Sequence, residues 1–198
     1  MLVLASASPR RQELLRNAGI LFVVQAADID ESPRGGESPR DCAERLAREK
    51  AVAVSRLRPE DCILGADTIV TVDGKILGKP RDAGDAERML RLLSGRRHEV
   101  ITGVCLVRTV ASGQWLVDSK TREGQELRTA SETTIVTMSE LSDEDIREYV
   151  ATGEPMDKAG AYAIQGRAAR WIPRIEGDYS NVVGLPVALV CRMLSEKI

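Results

Sequence analysis

The run Cys62-Ile63-Leu64-Gly65-Ala66 is apolar without a break, and a strand of that kind is buried on both faces. It sets the pattern for the whole chain. Leu2–Ala5 reads as another short buried strand and Leu21–Ala26 as a second, while Val100–Val110 and Thr133–Met138 give two more. Between these runs lie helical patterns with clear starts. Ser8-Pro9 opens one helix through about Ala18, and Ser38-Pro39-Arg40-Asp41 repeats the serine–proline start with an acidic third position. Asp82–Leu93 places Ala86, Met89, Leu90 and Leu93 on one side, and Ser142 caps a further helix with Leu141 and Ile146 at the staple positions. Gly153 is placed to end that helix, and Pro186 begins a C-terminal one. Strands alternating with helices predict an α/β fold. No repeat, low-complexity linker or internal boundary interrupts residues 1–198, which reads as a single domain.

Thr68–Val72 continues from the central run into an Asp73-Gly74 hairpin turn, and Asp118–Ser131 is polar enough to read as a solvated hairpin or loop. Gly160–Gly166 is a short strand-like run that carries Gln165 between small residues. A glutamine presents a donor and an acceptor together, the combination needed to read a base edge.

Composition excludes several chemistries. The chain carries 28 basic and 30 acidic side chains, net −2, so its overall field does not favour nucleic acid or anionic lipid. Two Trp, three Tyr and one Phe leave little material for base-stacking platforms. His98 is the single histidine, which rules out a three-histidine zinc site and the His-Glu-x-x-His pattern; beside Arg96 and Arg97 it reads as structural or surface. Cys42, Cys62, Cys105 and Cys191 lie far apart in apolar contexts and read as reduced core thiols. The longest uncharged apolar stretch, 181–191, is far short of the ~20 residues of a membrane span. The beginning of the chain lacks a signal-peptide pattern, so a cytoplasmic location is expected.

Chemistry then falls to carboxylates, cations and hydroxyls. Ser6-Ala7-Ser8-Pro9-Arg10-Arg11 stands where a strand ends and a helix begins. Free amides, the helix dipole and two guanidinium groups favour a phosphate there, the alternative being an exposed basic first turn. Lys50 shares a helical stripe with Ala43, Leu46, Ala47, Val54 and Leu57, so it either snorkels from the core edge or points into a cleft. Asp67, at the end of the central run, either forms a turn or holds a cation and takes a proton from water. Gly78-Lys79-Pro80-Arg81-Asp82 adds a lysine ahead of a helix. The acidic run Asp28-Ile29-Asp30-Glu31 is either a solvated loop or a source of a metal ligand.

In order along nearly the whole chain, these segments resemble the Maf proteins, a family of nucleoside triphosphate pyrophosphatases. The matching stretches are Leu4-Ala5-Ser6-Ala7-Ser8-Pro9-Arg10-Arg11-Gln12-Glu13-Leu14-Leu15, Leu46-Ala47-Arg48-Glu49-Lys50-Ala51, Gly65-Ala66-Asp67-Thr68-Ile69-Val70 and Gly78-Lys79-Pro80-Arg81-Asp82. They continue with Leu92-Leu93-Ser94-Gly95-Arg96, Gly153-Glu154-Pro155-Met156-Asp157-Lys158-Ala159-Gly160-Ala161-Tyr162, Ile164-Gln165-Gly166 and Asn181-Val182-Val183-Gly184-Leu185-Pro186.

The resemblance implies a two-lobed fold around a long twisted mixed sheet, similar to inosine triphosphate pyrophosphatases, with a cleft between the lobes. It implies hydrolysis of a nucleoside triphosphate to the monophosphate and pyrophosphate with a divalent cation, magnesium or manganese. By position, Asp67 matches the proton acceptor and a metal ligand; Ser6, Arg11, Lys50 and Lys79 match the phosphate contacts; Glu31 matches an acidic position near the metal. Arg10, Thr68 and Gln165 match the positions tied to substrate choice. Ala-Asp-Thr at 66–68 and Ile-Gln-Gly at 164–166 place the chain with the dTTP/UTP branch rather than the sister branch acting on 7-methyl-GTP, which tends to Ser-Asp-Gln and Ser-Glu-Gly. A homodimer is expected from the resemblance, and the polar segment 118–131, longer than usual, bears on oligomer contacts. The rival to catalysis is a nucleotide-sensing regulator of septum formation with little turnover.

Overall fold

The computed structural model describes residues 1–109 and 125–196. Its frame is a seven-stranded mixed sheet flanked by six α-helices. Strand β1 (Leu2–Leu4) lies parallel between β2 (Val23–Val24) and β3 (Cys62–Val72). From β3 onward the pairing is antiparallel: β3 with β5 (Arg97–Thr109), β5 with β6 (Gln125–Thr137), and β6 with β7 (Arg174–Glu176). The short β4 (Lys75–Leu77) folds back on the end of β3 through the Asp73-Gly74 turn. The expected α/β class and the mixed sheet are therefore present.

The helix starts follow the sequence closely. Helix α1 (Pro9–Asn17), α2 (Pro39–Ser55) and α4 (Asp143–Ala151) are capped by Ser8, Ser38 and Ser142, each accepting an N–H of the first turn. A serine cap of this type is worth about 1 kcal/mol over alanine. Asp145 returns a bond to the backbone of Ser142 and completes a capping box, and Gly153 ends that helix region in the left-handed conformation. Helix α3 (Ala83–Leu93) buries Ala86, Met89, Leu90 and Leu93 as its spacing predicts. Helices α5 (Tyr179–Val183) and α6 (Val187–Ser195) complete the set.

The alternation of β3 divides the core. Ile63 packs with Val3, Ala5, Cys105, Val107 and the Ala47, Ala51 and Val54 stripe of α2. Farther along that face, Ile69 and Ile101 meet Cys42, Ala43 and Leu46. On the opposite face Leu64 and Ala66 join Leu4, Val104, Leu106, Leu15 of α1 and Val190 and Met193 of α6. Val70, Val72 and Val100 pack with α3, α4 and Trp171.

Two glycines set the closeness of α2 to the sheet. A Cβ on Gly65 would stand 2.8 Å from Ala51 N and 2.9 Å from Ala51 Cβ, and closer still to Ala47 O. One on Gly103 would stand 2.7 Å from Glu44 N and closer to the Ala43 carbonyl. Gly103 is the register partner of Asp67, so the helix is pressed onto the sheet beside the residue that matters most below.

Several expectations are corrected. Leu21–Ala26 contributes only Val23–Val24 as strand, and Leu21 is exposed. Cys62–Val72 is one strand, with Asp67 in its middle, so Asp67 is not a turn residue. Of the supposed loop Asp118–Ser131, residues 125–131 belong to β6 and the rest lie outside the described residues, as does Val110 of the Val100–Val110 run. Gly160–Gly166 is no strand: Ala159–Ala161 is a 3₁₀ turn with left-handed Gly160, followed by a turn at 164–166. Further 3₁₀ turns at Glu154–Asp157 and Arg167–Trp171, with β7 and α5, have no counterpart in the sequence reading. Cys42 and Cys105 are buried free thiols, but Cys191 is exposed on α6. Leu57 lies beyond α2 and is exposed, so the Lys50 stripe ends at Val54. Among the described residues no helix is long and apolar enough to cross a membrane.

Candidate active site

On one edge of β3 the pairing with β1 runs to Leu64 and the pairing with β4 begins at Val70. Between them, residues 65–69 have no strand partner on that edge among the described residues. A cavity of about 560 Å³ opens at this notch. Ser6, Arg10, Arg11, Glu31, Lys50, Asp67, Thr68, Lys79 and Gln165 all line it, so the nine residues matched to the reaction or to substrate choice come to one place. Its wall carries five cationic side chains (Arg10, Arg11, Lys50, Lys79, Lys158) and three acidic ones (Glu31, Asp67, Asp157).

Asp67 and Lys50 share the α2 side of the sheet. Lys50 Nζ lies 2.6 Å from Asp67 Oδ1 and 2.5 Å from Glu31 Oε1, and its side chain is 8% exposed. The lysine therefore does not snorkel to solvent; it binds two carboxylates at the cavity wall. Lys79, mostly exposed, stands 3.5 Å from Glu31 Oε2. Burial raises the pKa of the Glu31 carboxyl, but its hydrogen bond to Lys50 and the charges of Lys50 and Lys79 outweigh this and leave it below the usual value. Glu31 is thus held as a carboxylate.

The acidic loop carrying Glu31 is tied down by a buried arginine. Arg45 of α2 grips Glu37 with two bonds, 2.6 Å from Nε to Oε1 and 2.9 Å from Nη2 to Oε2. It also donates to Ser32 O at 3.1 Å and to Glu49 at 3.1 Å. The hydrogen bonds from Arg45, against the opposing effect of burial, hold the Glu37 carboxyl down to about 2. Sequence spacing gave no reason to single out Arg45, because its partners are gathered by the loop's return onto α2.

Thr68 points to the other face, where Arg11 reaches it. The buried Arg11 guanidinium donates from Nε to Gly184 O (2.7 Å), from Nη1 to Ser6 Oγ (3.0 Å) and from Nη2 to Thr68 Oγ1 (3.1 Å). Burial lowers the Arg11 pKa, while Asp67 and Glu31 oppose the shift. A guanidinium has five N–H groups, so two remain to face a ligand. Ser6 Oγ also accepts the Ser8 N–H at 3.3 Å. With both lone pairs engaged and no acceptor for its proton among the described residues, the Ser6 hydroxyl is a donor toward the cavity. The Thr68 hydroxyl lies 3.0 Å from Thr102 Oγ1 and 3.3 Å from Gly184 O, in addition to its bond from Arg11. Thr102 donates its own proton to Asn181 O at 3.1 Å, so the Thr68 proton is committed to Thr102 or Gly184 O.

Arg10 pairs with Asp157 at 3.3 Å, and Lys158 bonds Asp157 and the Glu154 carbonyl. Asp157 and Lys158 belong to the Gly153–Tyr162 stretch of the family resemblance, and the left-handed turn at Gly160 beside them is not visible in a periodicity. His98 is buried under the cavity-lining Tyr162, with Nε2 2.8 Å from the phenol oxygen, and burial pushes its pKa down to about 4. Its part is structural.

The Maf-like protein family profile matches residues 1–197. A dTTP/UTP pyrophosphatase of Koribacter versatilis is 53% identical over 193 residues, covering 98% of this chain and 92% of the relative. Another so named, from Symbiobacterium thermophilum, is 54% identical over 195 residues, with 98% and 93% covered. Among solved structures, a HAM1 protein from Coxiella burnetii overlaps with a TM-score of 0.41 at 19% identity, over 69% of this chain and 72% of that one, too loosely to characterise the fold. Matched along nearly its whole length by the family profile and by relatives above half identity, this chain belongs to the Maf family.

Proposed function

We propose that this protein hydrolyses nucleoside triphosphates, dTTP and UTP foremost, to the monophosphate and pyrophosphate. One observation carries the chemistry: the carboxylate of Asp67, buried against Lys50, stands in a cavity where cations outnumber carboxylates five to three. Bare phosphate binding gains nothing from a carboxylate there, whereas water attack needs a proton acceptor. The names of the two relatives supply the substrate.

Asp67 orients a water and takes its proton as the water oxygen attacks the α-phosphorus and the α–β anhydride bond breaks. The two free N–H groups of Arg11, the Ser6 hydroxyl, Lys50 and Lys79 bind the phosphates and offset the charge growing on the departing pyrophosphate. Lys50 must exchange one carboxylate for a phosphate oxygen as substrate enters.

Glu31 and Asp67 offer hard oxygen donors suited to magnesium or manganese. Among the described residues there is no group of three or more His, Cys, Asp or Glu that could hold a metal alone. Glu31 and Asp67 are the residues that would hold such an ion. When bound, it supplies charge neutralisation on the phosphates.

Gln165 reads the pyrimidine edge, and Arg10 borders the same mouth. Because the Thr68 hydroxyl accepts from Arg11 and commits its proton to protein oxygens, its part in substrate choice runs through the placement of Arg11. The protein is further proposed to be one domain of two lobes with this cavity between them, a cytoplasmic homodimer without nucleic-acid partners.

The test is pyrophosphate release from a nucleotide panel with magnesium or manganese. Wild type should turn over dTTP and UTP, and Asp67→Asn should lose about 10²–10⁴-fold in rate. Equal rates in the two proteins would remove Asp67 from its role. Preference for 7-methyl-GTP would move the chain to the sister branch, and binding without turnover would favour the sensing role.

A further inference from the structure

Gln165 sits on a turn, and the turn is held from behind by two residues that do not line the cavity. The turn closes with Gly166 N–H donating to Ala163 O at 3.0 Å. At its leading end, Ala163 N–H donates to the Tyr149 phenol oxygen at 3.1 Å. At its trailing end, Arg167 N–H donates to both carboxylate oxygens of Glu154, at 3.1 and 3.3 Å. The two anchors are joined, since Tyr149 OH donates to Glu154 Oε1 at 2.8 Å. One phenol and one carboxylate thus hold the amides on both sides of Ile164-Gln165-Gly166.

Three independent features show that this brace is tight. A Cβ on Gly166 would stand 2.7 Å from Glu154 Oε2 and closer to Oε1, so only glycine lets the carboxylate reach the turn. Tyr149 is 1% exposed, and its ring packs edge-on against Trp171 at 5.4 Å between centroids, which fixes where the hydroxyl stands. Burial, with the Glu154 carboxylate beside it, pushes the Tyr149 phenol up, so it remains a donor at any neutral pH.

We infer that Tyr149 and Glu154 are positioning residues that set base selectivity by fixing the turn which presents Gln165 to the cavity. The inference rests on the proposed base-reading role of Gln165. A glutamine amide discriminates by direction, and on a loose turn its donor and acceptor would meet either arrangement of a base edge. Neither brace residue touches the phosphate-binding groups Ser6, Arg11, Lys50 and Lys79, so the brace acts on recognition and leaves hydrolysis alone.

The experiment compares wild type, Tyr149→Phe, Glu154→Gln and Gln165→Ala on dTTP, on GTP and on methyl triphosphate, which has the phosphates and no base. Amide hydrogen exchange is followed at Ala163 and Arg167. Tyr149→Phe retains the ring against Trp171 and removes only the hydroxyl. It should lower kcat/KM for dTTP about 3–10-fold, mainly through KM, and narrow the dTTP-to-GTP preference by a similar factor. Turnover of methyl triphosphate should be unchanged, and exchange at Ala163 should quicken. Glu154→Gln should do the same with exchange quickened at Arg167. In the Gln165→Ala background, Tyr149→Phe should have no further effect on selectivity. Parallel losses on dTTP and methyl triphosphate would mean a merely structural role and overturn the inference. So would unchanged selectivity in Tyr149→Phe when Gln165→Ala alters it, whereas unchanged selectivity in Gln165→Ala overturns the base-reading role together with the brace.

Discussion

Replacing Gly65 by alanine is the sharpest test of how α2 delivers Lys50 to Asp67. Ordinary contact begins near 3.4 Å, and the added methyl would sit 2.8 Å from Ala51 N and 2.9 Å from Ala51 Cβ. Relief needs a retreat of about half an ångström there, and of about 1.3 Å at Ala47 O. The obstacles are largely helix backbone, so no rotamer change can absorb the strain. Overpacking of this kind costs about 1–3 kcal/mol, which lowers the melting temperature by roughly 2–4 °C per kcal/mol in a chain of this size. Lys50 lies one residue from Ala51, and its 2.6 Å bond to Asp67 lengthens with the helix. A misplacement of about one ångström costs up to about 10²-fold in rate. Gly65→Ala should therefore melt about 5 °C lower and lose roughly 10- to 100-fold in kcat/KM for dTTP. Gly35→Ala, where the added methyl meets nothing within 4 Å, should match wild type in both. A Gly65→Ala protein with wild-type melting and wild-type turnover would refute the claim that helix-to-sheet contact sets the site.

Arg45→Met removes a buried cation from Glu37, Glu49 and Ser32 and should cost about 3–5 kcal/mol, seen as a melting temperature about 10 °C lower. Turnover should fall as well, because the Glu31 loop loses its anchor; Glu37→Gln added to Arg45→Met should recover part of the stability. The buried His98 has a folded pKa near 4 against an ordinary 6.5, so the unfolded chain binds more protons between those values. Its contribution is present above about pH 6.5 and is lost as pH falls toward 4, up to about 3 kcal/mol in all. Denaturant unfolding across that range should show a shallower pH slope in His98→Gln than in wild type, and identical slopes would exclude the buried neutral imidazole.

Local signals carried the helix starts and the central strand, since serine caps and unbroken apolar runs act over a few residues. The first half of β6 escapes the sequence for a physical reason: Gln125–Ser131 pair through their backbone with the buried β5, while their own side chains are only half-buried and mostly polar. The stretch around Gly160 and Ala161 was missed because both adopt positive φ, 69° and 60°, which a periodicity does not encode. The site residues were legible because charged groups beside apolar runs are anomalous wherever they stand. Tyr149, Glu154 and Arg45 were not, because each looks ordinary in its own helix or turn and acquires its partners only through the fold.

The break in strand pairing along β3 also bears on how this sheet avoids trouble. An unpaired edge invites another chain to add a strand, and this one lies at the middle of the molecule. The open stretch spans only residues 65–69, closed off by β1 on one side and β4 on the other. An intruding peptide would find too few ladder positions to settle, and Lys50, Glu31 and Lys79 stand around the opening. The converse is a constraint on variation. Extending β1 or β4 by a couple of paired residues would heal the sheet, satisfy its backbone and abolish the notch at which the cavity opens.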